Sequence, residues 1–136
     1  MVLYKTRAQS SVLAIADSLY ATGNYSKAIN FYAKVGSEKS SLQVARAYNA
    51  MGNYEKAKLQ YENLANKNPA LQIARLELGK IYIKTHDLKR AILVFSQFIK
   101  DDDGNPEFYY YLGMAYQDME KMDAESAVNI RIEGTE

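Results

Sequence analysis

Three short strings in this 136-residue chain repeat one another: Gly23-Asn24-Tyr25-Ser26-Lys27-Ala28, Gly52-Asn53-Tyr54-Glu55-Lys56-Ala57 and His86-Asp87-Leu88-Lys89-Arg90-Ala91. Each opens on a turn former, continues with Asn or Asp and a large apolar residue, and places an alanine three positions further on. Glu120-Lys121-Met122 continues the series weakly, so that the four strings start at positions 23, 52, 86 and 120. This recurrence constrains the fold more than any other feature, because its spacing is close to that of a stacked helix-turn-helix repeat. A unit of that size cannot bury its own apolar face and must stack on copies of itself.

Between the turns the apolar residues follow a helical period. Val12, Ile15, Ala16 and Leu19 fall at i, i+3, i+4 and i+7, as do Tyr25, Ala28, Ile29 and Tyr32. Leu88, Ala91, Ile92, Phe95, Phe98 and Ile99 repeat the pattern. The spacing predicts helices over 8–22, 25–35, 38–51, 54–66, 69–85, 88–100, 106–119 and 122–130. Gly23 and Gly52 suit the left-handed residue that closes a helix, and Asn24, Asn53 and Asp87 can cap the next one. Asn68-Pro69 and Asn105-Pro106 each set a capping residue before a proline at the first helical position.

These residues resemble the tetratricopeptide repeat family. One copy carries Ala45, Tyr48, Gly52, Tyr54, Ala57, Tyr61 and Pro69, the next Leu78, Gly79, Tyr82, Ala91 and Phe95, and the last Tyr109, Leu112, Gly113 and Tyr116. The resemblance implies an all-α, right-handed superhelical array of helix-turn-helix repeats. It divides residues 1–136 as one array with copies at 8–37, 38–71, 72–105 and a degenerate 106–130. It also implies small residues where two helices touch and aromatics between neighbouring repeats. On that reading Tyr25, Tyr32, Tyr48, Tyr54, Tyr61, Tyr82, Tyr109 and Tyr116 are packing residues. The first copy is shorter than the others, with Gly36-Ser37-Glu38-Lys39-Ser40 as an abrupt connection.

In the family the first helix of each repeat lines a concave groove that binds a peptide or partner segment. Carried onto this chain, the lining is Leu13, Asp17 and Tyr20, then Leu42, Arg46 and Asn49, then Leu76, Lys80, Ile83 and Lys84, then Tyr110, Met114 and Gln117. Leu13, Leu42, Leu76 and Tyr110 make an apolar row, and Arg46, Lys80 and Lys84 a basic middle. That lining suits an extended or helical peptide with apolar anchors and acidic character. The alternative is that the row is interhelical packing and the charges are solvated. Members that hold the C-terminal peptides of chaperones use a Lys, Asn and Arg clamp. Leu13 and Asp17 stand where that clamp wants Lys and Asn, which argues against such a ligand.

Charge and composition narrow the other classes. The formal net charge is +1, without the basic excess of a nucleic-acid binder. No segment approaches the roughly 20 apolar residues of a membrane span, and Met1-Val2-Leu3-Tyr4-Lys5 lacks the pattern of a secretory signal. The lack of cysteine excludes thiolate chemistry and fits a cytoplasm or an exported, signal-cleaved protein equally well. His86 is the only histidine and has no companions at metal-ligand spacing. Asp101-Asp102-Asp103-Gly104-Asn105 misplaces the glycine of a calcium loop and reads as a solvated connector. With no phosphate loop, nucleophile elbow or paired carboxylates, no cofactor, metal or catalysis is expected. Val128, Ile130 and Ile132 alternate with polar residues like a short strand. This partly apolar tail gives the second function class, a structural module that self-associates through its C-terminal end as a weak homodimer.

Overall fold

A computed structural model describes residues 2–134 of the chain, with side chains placed for 7–129 and 131. Seven helices follow one another: α1 (Val2–Ala21), α2 (Tyr25–Val35), α3 (Glu38–Ala50), α4 (Tyr54–Lys67), α5 (Gln72–Lys84), α6 (Leu88–Asp101) and α7 (Pro106–Gly134). No strand occurs among the described residues. The helices group into two compact units, Met1–Arg75 and Leu76–Glu136.

In the first unit α1 packs on α2, α2 on α3 and α3 on α4. Ala16, Ala28, Ile29, Tyr32, Val44 and Ala47 form a buried cluster, with Leu13, Leu19, Tyr20, Tyr25, Phe31 and Tyr48 packed around it. Alanines sit where helices cross, as the repeat demands: Ala16, Ala28, Ala45 and Ala57 have no exposed surface. Tyr32 and Tyr61, at the same place in consecutive copies, are among the largest fully buried side chains. The short first copy shows as a short α2, 11 residues against 14 in α4. It ends at Gly36 with φ 67°, and Ser37 then caps α3 by accepting from the Ser40 backbone N–H at 3.1 Å. A small cavity of about 210 Å³ lies between this connection and the end of α4, lined by Glu38, Ser41, Asn63 and Lys67 among others.

In the second unit α6 lies against α7. Phe98 stacks on Phe108 with centroids 4.7 Å apart, and Phe95 on Tyr111 at 5.2 Å. Gly79 of α5 is where α6 comes closest. A Cβ built there would sit 2.8 Å from the Phe95 ring, so only hydrogen fits.

The turns follow the sequence with one substitution of kind. Gly23 and Gly52 take φ 81° and 76°, and His86 takes φ 61° in the third turn. The caps are less uniform than predicted. Asn53 accepts from the Lys56 N–H at 3.3 Å, whereas Asn24 donates to Thr22 Oγ1 and Asp87 pairs with Arg90 at 3.5 Å. Asn68 closes α4 instead of opening α5; its Oδ1 accepts from the Ala70 N–H, and α5 begins only at Gln72. Asn105 accepts from the Glu107 N–H at 2.9 Å and does open α7.

Four further expectations fail. The turn at Glu120-Lys121-Met122 does not form, and α7 runs unbroken for 29 residues. Glu, Lys and Met are good helix formers, and nothing there prefers a left-handed conformation. The segment from Val128 to Glu133, strand-like in its alternation, is helical as well; the side chains of Ile130 and Ile132 lie outside the described set. The packing role assigned to all eight framework tyrosines holds for six. Tyr109 and Tyr116 are each 49% exposed, because among the described residues no second helix of the last copy covers them. Ile15 on α1 is likewise exposed rather than core.

Three substitutions test this packing by thermal unfolding. Gly79→Ala is expected to destabilise by about 1–3 kcal/mol, since the buried Phe95 ring must move. Gly113→Ala, where a Cβ meets nothing within 4 Å, should instead stabilise by about 0.5–1 kcal/mol through helix propensity. His86→Gly should raise stability by about 1 kcal/mol, because it relieves a left-handed backbone at a residue that carries Cβ.

Candidate functional site

The residues named from the repeat's first helices have distinct surroundings in the two units. On α1, Leu13 and Tyr20 are half-buried against the core, and the Tyr20 ring meets Tyr25 edge-on at 5.1 Å. Asp17 is exposed and accepts a short hydrogen bond from the Tyr32 hydroxyl. Burial of the Tyr32 phenol, then its hydrogen bond to the Asp17 carboxylate, pushes its pKa up to about 12, against a smaller opposing bond from Gln43. On α3, Leu42, Arg46 and Asn49 are half-buried. Arg46 donates to Gln43 Oε1 at 3.0 Å, and the buried Asn49 Oδ1 has no donor among the described residues.

In the second unit, Lys80, Ile83, Lys84 and Met114 line one open cleft of about 430 Å³. Tyr111, Asp118 and His86 complete its wall. Lys80 is held from α7: its Nζ lies 3.4 Å from Glu107 Oε1 and 5.0 Å from the centre of the Tyr111 ring. Burial works against the Lys80 charge, yet bonding to Tyr111 and Glu107 outweighs it and leaves the pKa above the ordinary lysine value. Ile83 is buried, contributing floor rather than rim. Leu76 is half-buried and Gln117 exposed, and neither lines the cleft.

Tyr110, placed in the apolar row, is outside this cleft. It is 62% exposed and touches Tyr111 edge-on at 5.2 Å. The adjacent Tyr111 lines the cleft instead. On a helix one residue turns the side chain by about 100°, so a one-position difference in α7 moves the aromatic from the α6-facing side to solvent. Phe95, on the helix before, carries the missed signal, because an aromatic stacked on it must sit at 111 rather than 110. The basic character of the middle is also partly answered within the unit, by Glu107 at Lys80 and by Asp118 in the cleft wall.

The arrangement offers apolar surface, an aromatic ring and paired charge, and among the described residues no helix is long and apolar enough to cross a membrane. The connector Asp101–Asn105 bonds to itself and its neighbours: Gln97 donates to Asp101, and the Gly104 N–H to Asp102.

Residues 39–70 match the tetratricopeptide repeat family model. No curated protein matches the sequence. Among solved structures, MamA (residue 41 to the end) from Desulfovibrio magneticus RS-1 superposes with a TM-score of 0.76 at 18% identity, over 85% of this chain and 68% of that one. The Sgt2 repeat domain from Aspergillus fumigatus gives 0.71 at 22% identity, over 86% of this chain and 82% of that one. The TPR2AB domain of yeast Sti1, in complex with pHSP90, gives 0.73 at 19%, over 96% of this chain and 57% of that one. At such identities the likeness is one of fold.

The Tyr32 hydroxyl supplies a test by pH. A pKa raised from 10 to about 12 means that stability from this group is whole below pH 10 and is lost as pH climbs through 12. The parent's melting temperature should therefore fall more steeply between pH 10 and 12 than that of Tyr32→Phe, as followed by circular dichroism.

Proposed function

We propose that this chain, a tetratricopeptide-repeat protein by its matched repeat and its fold, is a non-catalytic scaffold that binds a peptide or partner segment. The observation that carries the reading is the cleft of the second unit. Four residues picked from the repeat register, Lys80, Ile83, Lys84 and Met114, gather there around the Tyr111 ring. A lining with an apolar floor and lysines on one side fits a peptide that inserts an apolar side chain and brings a carboxylate to Lys84 and Lys80.

The Sti1 domain was captured with pHSP90. That ligand is not carried over, since Leu13 and Asp17 offer no cation at the positions where such a clamp begins. A second reading, self-association through the C-terminal end, draws on Met122 and Val128, which are exposed on α7.

Peptides selected from a displayed random library against the full chain test the groove. Tyr111→Ala or Met114→Ala should weaken a selected peptide about tenfold, because a few apolar anchors carry most binding energy. Lys84→Glu should cost only a few-fold, about 0–1 kcal/mol, and less at high salt. Peptides indifferent to all three changes in folded variants would place binding elsewhere.

A further inference from the structure

Gly79 and Gly113 occupy the same place in consecutive copies of the repeat. At Gly79 the space for a Cβ is filled by the Phe95 ring of α6; at Gly113 that space is empty. The comparison extends along both helices. Tyr82 is 6% exposed while its counterpart Tyr116 is 49% exposed, and Tyr109 shares the stripe at i−4 from Gly113. This stripe is separate from the side of α7 that packs on α6 through Phe108, Tyr111 and Ala115. Among the described residues the last copy thus has its first helix built, down to the glycine that admits a ring, and no helix that supplies the ring.

The chain's own tail is a poor occupant. In register with α6, Glu125 would stand where Ala91 is fully buried, and Asn129 where Phe95 is. Burying a carboxylate and an amide at those positions without partners is unfavourable, which explains why α7 runs straight on. The stripe also continues into Glu120 and Asp123, both on the described surface, Asp123 at its edge bordering a cavity with Leu88 and Lys89 of α6. An antiparallel occupant would begin beside these two carboxylates, where its positive N-terminal end and basic first-turn residues are favoured. The first turn of α6 has that character, with Lys89 and Arg90.

The geometry points to the Tyr109–Gly113–Tyr116 face as a docking site for an amphipathic helix of a partner protein. That helix lies antiparallel to α7, sets a Phe or Tyr over Gly113 and a small residue one turn earlier, and carries Lys or Arg in its first turn. The face is distinct from the Lys80 cleft, so the two bind independently.

The probe is a fluorescein-labelled peptide with the sequence of residues 86–101, which has these features, titrated into the full chain and followed by anisotropy. Binding is expected, with Gly113→Leu in the chain weakening it about tenfold or more by filling the ring's place. Phe95→Ala in the peptide should weaken it comparably, and Met114→Ala in the cleft should leave it unchanged. A Cβ at position 113 meets no neighbour in the free chain, and Leu is a better helix former than Gly, so the melting temperature of Gly113→Leu should not fall. Absence of binding, or binding indifferent to Gly113→Leu, overturns the proposal. So does a dimer in sedimentation that Gly113→Leu disperses, which gives the face to a second copy. Protection of Tyr109 and Tyr116 from nitration in the free monomer would give it to the chain's own tail and overturn the proposal equally.

Discussion

A ring and a Cβ cannot share the space between α5 and α6. Phe95 fills it, and Gly79 gives way by having no side chain. The same division of space recurs through the chain. Ala16 and Tyr32, then Ala45 and Tyr61, stand at the corresponding places, each fully buried or nearly so. Interiors pack at crystal-like density, so a large residue on one helix requires a small one opposite. Once that pairing is set, the helices of a copy can cross at only one register. The short turns, their positive-φ residues and the flanking alanines are conditions for reaching it.

The pairing also separates what the chain must keep from what it can spend. Where both helices of a copy are present, the paired small and aromatic positions are committed to the core, whereas the outward residues of α3, α5 and α7 are bound by no such demand. Lys80, Lys84 and Met114 can therefore be chosen for a ligand without disturbing Gly79 or Phe95, although Lys80 and Lys84 share a helix with Gly79. A repeat fold of this kind leaves its outward surface free to vary in shape and charge.

Most of the fold was legible because it is periodic. Gly23, Gly52 and the apolar spacing of α2, α4 and α6 state both the helices and their ends. Of the residues named from the register, Lys80, Ile83, Lys84 and Met114 line one cleft, whose aromatic is Tyr111 and not Tyr110. Both residues are tyrosine, and only the stacking on Phe95 separates them. Extrapolating the period past residue 120 failed for a related reason. A turn there needs a residue that tolerates a left-handed backbone and a following helix with something to bury, and Glu125 and Asn129 deny the second condition. Asn68 misled differently, since the same side chain can open one helix or close another, and the backbone beyond it decides.

α7 holds one more consequence. From Glu120 to Asn129 every residue of this helix is exposed, with Met122 and Asp123 bordering the α5–α6 turn, so its backbone hydrogen bonds there rest largely on local propensity. A short helical stretch without tertiary support is marginal in water. The first half of α7, by contrast, is anchored through Phe108, Tyr111 and Ala115. One continuous helix thus contains two regimes of opening. Its distal amides exchange with solvent through fraying that costs almost nothing, and its proximal amides exchange only when the unit itself comes apart.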